Sequence, residues 1–157
     1  MTEPLIIRGR PPQATAVALL QAHGLPFSDI TVEHLEHFFF VGSVGSPTGL
    51  AGIEIYGTDA LLRSLVVAEH ARTQGLGSAL VQHAEDYAAA REVRAMYLLT
   101  TTAERFFEGR GYRRVDRTQA PRSIQTAPEF ASLCPASSAF MIKQLENRTD
   151  ARSGSLT

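Results

Sequence analysis

The chain has 157 residues, 44% of them apolar and 20% charged, and a formal net charge of -1. That length suits a single hydrophobic core, since domains cluster near ~100–150 residues. The charge balance excludes a disordered chain and a nucleic-acid coat, and the single cysteine, Cys134, excludes an internal disulfide framework and a multi-thiolate metal trap.

The opening MTEPLIIRGRPP has an acidic residue at position 3 and an apolar run of only three residues, too short for a signal-peptide core or a membrane span. A cytoplasmic protein without membrane contact is expected. Leu5 to Arg8 reads as a first strand, and Pro11-Pro12 opens a helix with Ala14, Val17, Leu19 and Leu20 on its apolar side. Leu25 to Asp29 breaks that helix, and Thr31-Val32-Glu33-His34 reads as a cap followed by a short second helix. Phe38 to Val41 and Leu50 to Tyr56 predict two strands joined by the hairpin loop GSVGSPTG. After the Gly57-Thr58-Asp59 turn, ALLRSLVVA is continuous enough for a central strand buried on both faces, interrupted by Arg63 and Ser64.

From Gly77 to Arg91, residues Leu80, Val81, Ala84, Tyr87 and Ala88 recur at helical spacing, opposite a polar face of Gln82, Glu85 and Arg91. AMYLLT predicts a strand, AERFFEGRG a short helix closed by Gly111, YRRV a brief strand and SAFMIKQL a last strand. Between Arg117 and Pro135 lie Pro121 and Pro128 and no sustained period, which reads as a long loop, either a functional lid or a wrapped surface segment. The organisation is one domain over residues 1–145 with a polar, disordered tail over 146–157.

The segment ARTQGLGSAL, residues 71–80, puts two glycines at the entrance to the long helix, where glycine costs about 1 kcal/mol relative to alanine. A dinucleotide fingerprint would need a third glycine where Leu80 stands, and no phosphate loop of the G-x-x-x-x-G-K-[ST] type occurs. What stands is Arg72-Thr73-Gln74-Gly75-Leu76-Gly77-Ser78, after the strand Leu65-Val66-Val67 and before a helix. Backbone N–H groups at a helix start, aided by the helix dipole, suit a pyrophosphate. The alternative is that the glycines only let strand and helix pack closely.

The run SLVVAEHARTQGLGSALVQHAEDYAAA resembles the acetyl-coenzyme A motif of the Gcn5-related N-acetyltransferases (GNATs): an arginine or glutamine, two residues, glycine, one residue, then glycine or alanine. The resemblance implies an α/β (α+β) GNAT fold, a mixed, mostly antiparallel central sheet of about six to seven strands with splayed central strands, flanked by about four helices. It also implies acetyl-CoA as cosubstrate and no metal. Carried over, the backbone of Leu65, Val66 and Val67 would pair with the pantetheine arm. The loop amides of Arg72, Thr73, Gln74, Gly75, Leu76, Gly77 and Ser78 would hold the pyrophosphate, and Phe106 would line the cofactor site.

YLLTTTAERFFEGRGYRRV is similar to the matching segment of bacterial N-acetylglutamate synthase domains. With EIYGTDALLRSLVVA and SLCPASSAFMIKQL, it resembles more closely the small arsenic-resistance acetyltransferases related to arsinothricin N-acetyltransferase. Both resemblances imply a small acidic amino acid, arsinothricin or another glutamate analogue, acetylated on its α-amine. They leave room for a homodimer. Glutamate or another metabolite is the alternative acceptor, and a cofactor-binding sensor without catalysis is the alternative class. The sensor is raised by Phe107, which stands where many GNATs carry a tyrosine that reprotonates the thiolate; the central-strand glutamate of the synthases falls at Leu61.

Acetyl transfer needs an ammonium to lose its proton and a carbonyl oxygen to meet donors. Glu54, alternating with Ile53 and Ile55, is the candidate base, against the reading that it faces solvent. Arg63 lies in an apolar run where an unpaired cation is too costly, so it meets either an acidic substrate or a structural partner, Glu54 or Asp59. Tyr56, Thr101, Ser137 and Ser138 complete the candidate acceptor site, the last three as weak proton donors. His34 and His37 read as a helix surface, and Cys134 as a small buried residue or part of the acceptor pocket.

Overall fold

The computed structural model describes residues 6–72, 75–134 and 136–145. Its strands are β1 (Arg8–Gly9), β2 (Phe38–Gly42), β3 (Pro47–Tyr56), β4 (Asp59–Val67), β5 (Ala95–Thr100), β6 (Arg113–Arg114) and β7 (Ala139–Gln144). They form a seven-stranded sheet in the order β1-β2-β3-β4-β5-β7-β6. Pairing is antiparallel for β1 with β2, β2 with β3, and β7 with both β5 and β6, while β4 and β5 run parallel. The helices are α1 (Gln13–Ala22), α2 (Leu76–Ala90), α3 (Glu104–Gly109) and α4 (Arg122–Gln125), with a π-helical turn over Glu129–Leu133. This is the mixed, mostly antiparallel architecture expected from the sequence. Leu5 and the tail 146–157 lie outside the described residues.

By compactness the chain divides into two units, residues 1–53 with 63–84 and residues 54–62 with 85–157. The three boundaries fall inside elements, in β3 after Ile53, in β4 after Leu62 and in α2 after Ala84, so neither unit is contiguous in sequence. The first unit is built on Ala16 and Leu20 of α1, Phe38 and Phe40 of β2, Leu50 of β3 and Val66 of β4. The proline pair before α1 acts as expected, because Pro12 takes the extended cap conformation in which its missing N–H costs nothing. Gly49 on β3 is needed for packing: a Cβ there would lie 2.9 Å from Leu80 of α2 and 2.9 Å from Val41 of β2. The bare backbone therefore lets α2 sit close against the sheet.

The second unit is built on Leu61 of β4, Tyr97 of β5, and Phe140 and Ile142 of β7, covered by Ala120, Ile124 and Ala127. Those last three explain a difference from the expected long loop. Their spacing is helical, and the segment between Arg117 and Pro135 contains a 3-10 turn, α4, which buries Ile124, and the π-helical turn. The expected second helix is only a 3-10 turn over His34–His37. Thr31 Oγ1 accepts the His34 N–H at 3.3 Å and starts the turn, but the buried run Phe38-Phe39-Phe40 draws the chain into β2 one turn later.

Glu85 also departs from expectation. Placed on the polar face of the long helix by its spacing, it is only 6% exposed. Its Oε2 accepts the Tyr112 hydroxyl at 3.0 Å and its Oε1 accepts Lys143 Nζ at 2.8 Å. Burial, with the Glu85 charge and hydrogen bond, pushes the Tyr112 hydroxyl far above the ordinary tyrosine range. The three side chains form a buried polar network tying α2 to β7 and to the start of β6.

Candidate active site

β4 pairs with β5 from Asp59↔Ala95 to Leu62↔Leu98, and then runs on as Arg63–Val67. Ser64, at φ 61, takes a left-handed conformation just where the ladder ends. A non-glycine residue held there costs on the order of 1–3 kcal/mol, a strain that clusters at functional sites. Its hydroxyl accepts the Arg63 Nε–H at 3.1 Å. Beyond it Leu65 and Val67 are half-buried and Val66 is buried.

A 3-10 turn over Glu69–Ala71 leads from β4 to the glycine loop. Arg72 is exposed and its Nε donates to the Val67 carbonyl at 3.1 Å, folding the loop back on the strand end. Thr73 and Gln74 lie outside the described residues. Gly75, at φ 76, has the left-handed conformation that only glycine takes without penalty, and its carbonyl accepts the Ala79 N–H at 3.1 Å. The N–H groups of Leu76, Gly77 and Ser78 therefore come before the helical ladder of α2, at the positive end of its dipole. A glycine turn of this kind, following a strand, fits the phosphates of a coenzyme.

Within the other unit, Glu54 is 5% exposed and accepts a hydrogen bond from the Tyr56 hydroxyl. The two residues are two apart on β3 and so share a face. Tyr56 packs against the cluster formed by Leu61, Tyr97 and Phe140. Glu54 is thus buried and not solvent-facing, and two of the candidate residues meet directly.

Residues 10–112 match the acetyltransferase (GNAT) family. The chain belongs to that family. An uncharacterized N-acetyltransferase of Chlorobaculum tepidum is 32% identical over 94 residues, 59% of this chain and 60% of the relative's length. Among solved structures, N-acetylglutamate synthase from Neisseria gonorrhoeae, complexed with coenzyme A and N-acetyl-glutamate, aligns with a TM-score of 0.76 at 18% identity over 93% of this chain and 36% of the synthase. A Mycobacterium tuberculosis protein in complex with CoA aligns at TM-score 0.72 and 16% identity, over 90% of this chain and 99% of its own. At such identities the two structures share the GNAT fold with this chain. The chain spans less than two thirds of the length of the Chlorobaculum relative and about a third of the synthase.

In this GNAT chain Arg63 has a partner that its sequence position did not suggest. Its side chain is fully buried, and Nη1 and Nη2 bind the two carboxylate oxygens of Asp29 at 2.5 and 2.8 Å. With Nε on Ser64 and Nη2 also 3.5 Å from the Pro26 carbonyl, the guanidinium is held as a clamp on the loop after α1. Asp29, a loop acid, supplies both oxygens in the planar fork that guanidinium prefers. Burial pushes the Asp29 carboxyl up, but the hydrogen bonds and charge of Arg63 outweigh it and hold the group below its ordinary value.

The remaining candidates scatter. Thr101 and Ser137 are exposed, whereas Ser138 is 5% exposed and its Oγ has no hydrogen-bond partner among the described residues. Phe106 is half-buried, with its ring edge-on to Phe107 at 5.0 Å. Phe107 is itself buried, with its ring edge-on to Tyr112 at 5.5 Å. Asp29 and the Glu85 network escaped sequence reasoning, since both depend on contacts distant in sequence. Among the described residues, no helix is long and apolar enough to cross a membrane.

Proposed function

We propose that this GNAT protein transfers the acetyl group of acetyl-CoA to the α-amine of a small acidic amino acid, arsinothricin or a related glutamate analogue. Acetyl-CoA supplies the thioester when bound. Leu65, Val66 and Val67 would hold the pantetheine arm through their backbone, and the amides of Arg72 and Gly75 to Ser78 would hold the pyrophosphate, with Thr73 and Gln74 completing the loop and Phe106 beside it. The observation that carries the reading is Glu54, a buried carboxylate oriented by the Tyr56 hydroxyl. It takes the ammonium proton; the free amine then forms the new C–N bond as the C–S bond breaks. The nitrogen sheds its second proton to solvent as it becomes an amide, and the thiolate takes one from solvent or from a hydroxyl such as Thr101, Ser137 or Ser138, since Phe107 has none to give. The glutamate shape of the acceptor is supported by the sequence resemblances and by the Neisseria synthase fold, whose complex holds N-acetyl-glutamate.

The test is the pH dependence of thiol release by the wild type and Glu54→Gln with saturating acetyl-CoA. Positioned base catalysis contributes about 10²–10⁴-fold, so the variant should lose that much turnover at neutral pH and keep its coenzyme affinity. An unchanged pH profile would exclude Glu54 as the base.

A further inference from the structure

In a regular strand consecutive side chains point to opposite faces, so neighbours along it do not hydrogen-bond through their side chains. Arg63 and Ser64 do: Arg63 Nε donates to Ser64 Oγ at 3.1 Å, and both residues are buried. The contact forms because Ser64, at φ 61, leaves the extended conformation and brings its hydroxyl round to the guanidinium. A left-handed backbone at a residue that carries a Cβ persists only where its surroundings over-determine it. In β4 those surroundings are a chain of contacts. Asp29 grips Nη1 and Nη2 of Arg63 with its two oxygens, and the Pro26 carbonyl lies 3.5 Å from Nη2, so the guanidinium that holds Ser64 is itself held in place.

The turn stands at a decisive point of the strand. The β4–β5 ladder ends at Leu62↔Leu98, two residues before Ser64. After the turn Val66 is buried with Leu20, Phe38 and Leu50, and the Ala68 N–H donates to the Thr48 carbonyl at 2.8 Å. With its far end anchored, the second half of β4 takes the direction of its backbone from Ser64. We propose that Asp29, Arg63 and Ser64 form a positioning device for the coenzyme strand: the loop acid fixes the guanidinium, the guanidinium fixes the Ser64 hydroxyl, and the turn so held aims the 65–67 backbone at the pantetheine arm. This rests on the reading that Leu65, Val66 and Val67 bind that arm, and it gives the loop after α1 a part in coenzyme binding. The three are positioning residues, acting on the ligand through the backbone of β4.

The test measures coenzyme A affinity by calorimetry for the wild type, Ser64→Ala, Ser64→Gly and Asp29→Asn, with the melting temperature and the KM for acetyl-CoA alongside. Alanine removes the accepting oxygen and keeps the Cβ that opposes a left-handed turn. The competent backbone then becomes a minor state, and the apparent affinity falls with its population, roughly tenfold or more. Glycine also lacks the oxygen but takes the turn at no steric cost, so Ser64→Gly should lose less affinity than Ser64→Ala and melt at a higher temperature than it does. Asp29→Asn should lower the affinity of the folded protein as well, and lower it no further on the Ser64→Gly background, because the two contacts act in series. Wild-type affinity in all the folded variants would overturn the inference. So would equal losses in the alanine and glycine variants, which would put the hydroxyl itself on the ligand. Failure of the wild type to bind coenzyme A would overturn the coenzyme reading, and this inference with it.

Discussion

A guanidinium buried in a strand cannot stand uncompensated, and in this chain its counter-charge comes from 34 residues away, on the loop after α1. The Asp29 carboxyl is held below its ordinary 3.8, so the pair's contribution is present above that value and is lost as the pH falls through the lower folded value. Asp29→Asn removes a carboxylate charge from beside the buried cation. Breaking buried pairs costs about 3–5 kcal/mol, and the partial exposure of Asp29 places this one near the lower end, about 3 kcal/mol. Denaturant unfolding should show that loss at neutral pH and a narrowing difference from wild type in acid, with the acceptor KM unmoved. A variant of wild-type stability with a raised acceptor KM would return Arg63 to the acceptor site. The need for an acid beside Arg63 was legible from the apolar run around it. Which acid was not, because pairing at that separation is decided by the path of a loop.

At the scale of elements, β4 and α2 were the most legible part of the chain. Their boundaries, Asp59–Val67 and Leu76–Ala90, depart by one residue or so from those read off hydrophobic spacing and the glycine pair. The spacing of α2 misplaced Glu85, since helical periodicity tells which residues share a face and not what polar partners a neighbouring strand brings to its edge. The 117–134 segment carried its signal in Ala120, Ile124 and Ala127, masked by the prolines that divide it into short turns. The proposed coenzyme site belongs to this scale too. Gly77→Val adds a branched side chain beside the helix-start amides, so calorimetry should show coenzyme A affinity falling by about tenfold or more while the melting temperature shifts little. Equal affinity in a folded variant would move the phosphates away from α2.

For the whole molecule, the order of strands and helices places the chain among the GNATs, and residues 10–112 match that family. Local pattern was enough for this because each strand and helix carries its own apolar period and its own punctuation, from Pro11-Pro12 before α1 to Gly111 after α3. Side-chain pairing between distant segments carries no such period, which is why the Asp29–Arg63 pair and the Glu85 network had to be read from contacts. The most direct measurement offers the full chain acetyl-CoA and an equimolar mixture of arsinothricin, phosphinothricin, glutamate and spermidine, and identifies the products by mass spectrometry. The account predicts N-acetylated acidic amino acid, with arsinothricin ahead of phosphinothricin, and one free thiol released for each acetyl group transferred. Acetylated spermidine as the main product, or coenzyme binding with no acetylated product at all, would contradict it.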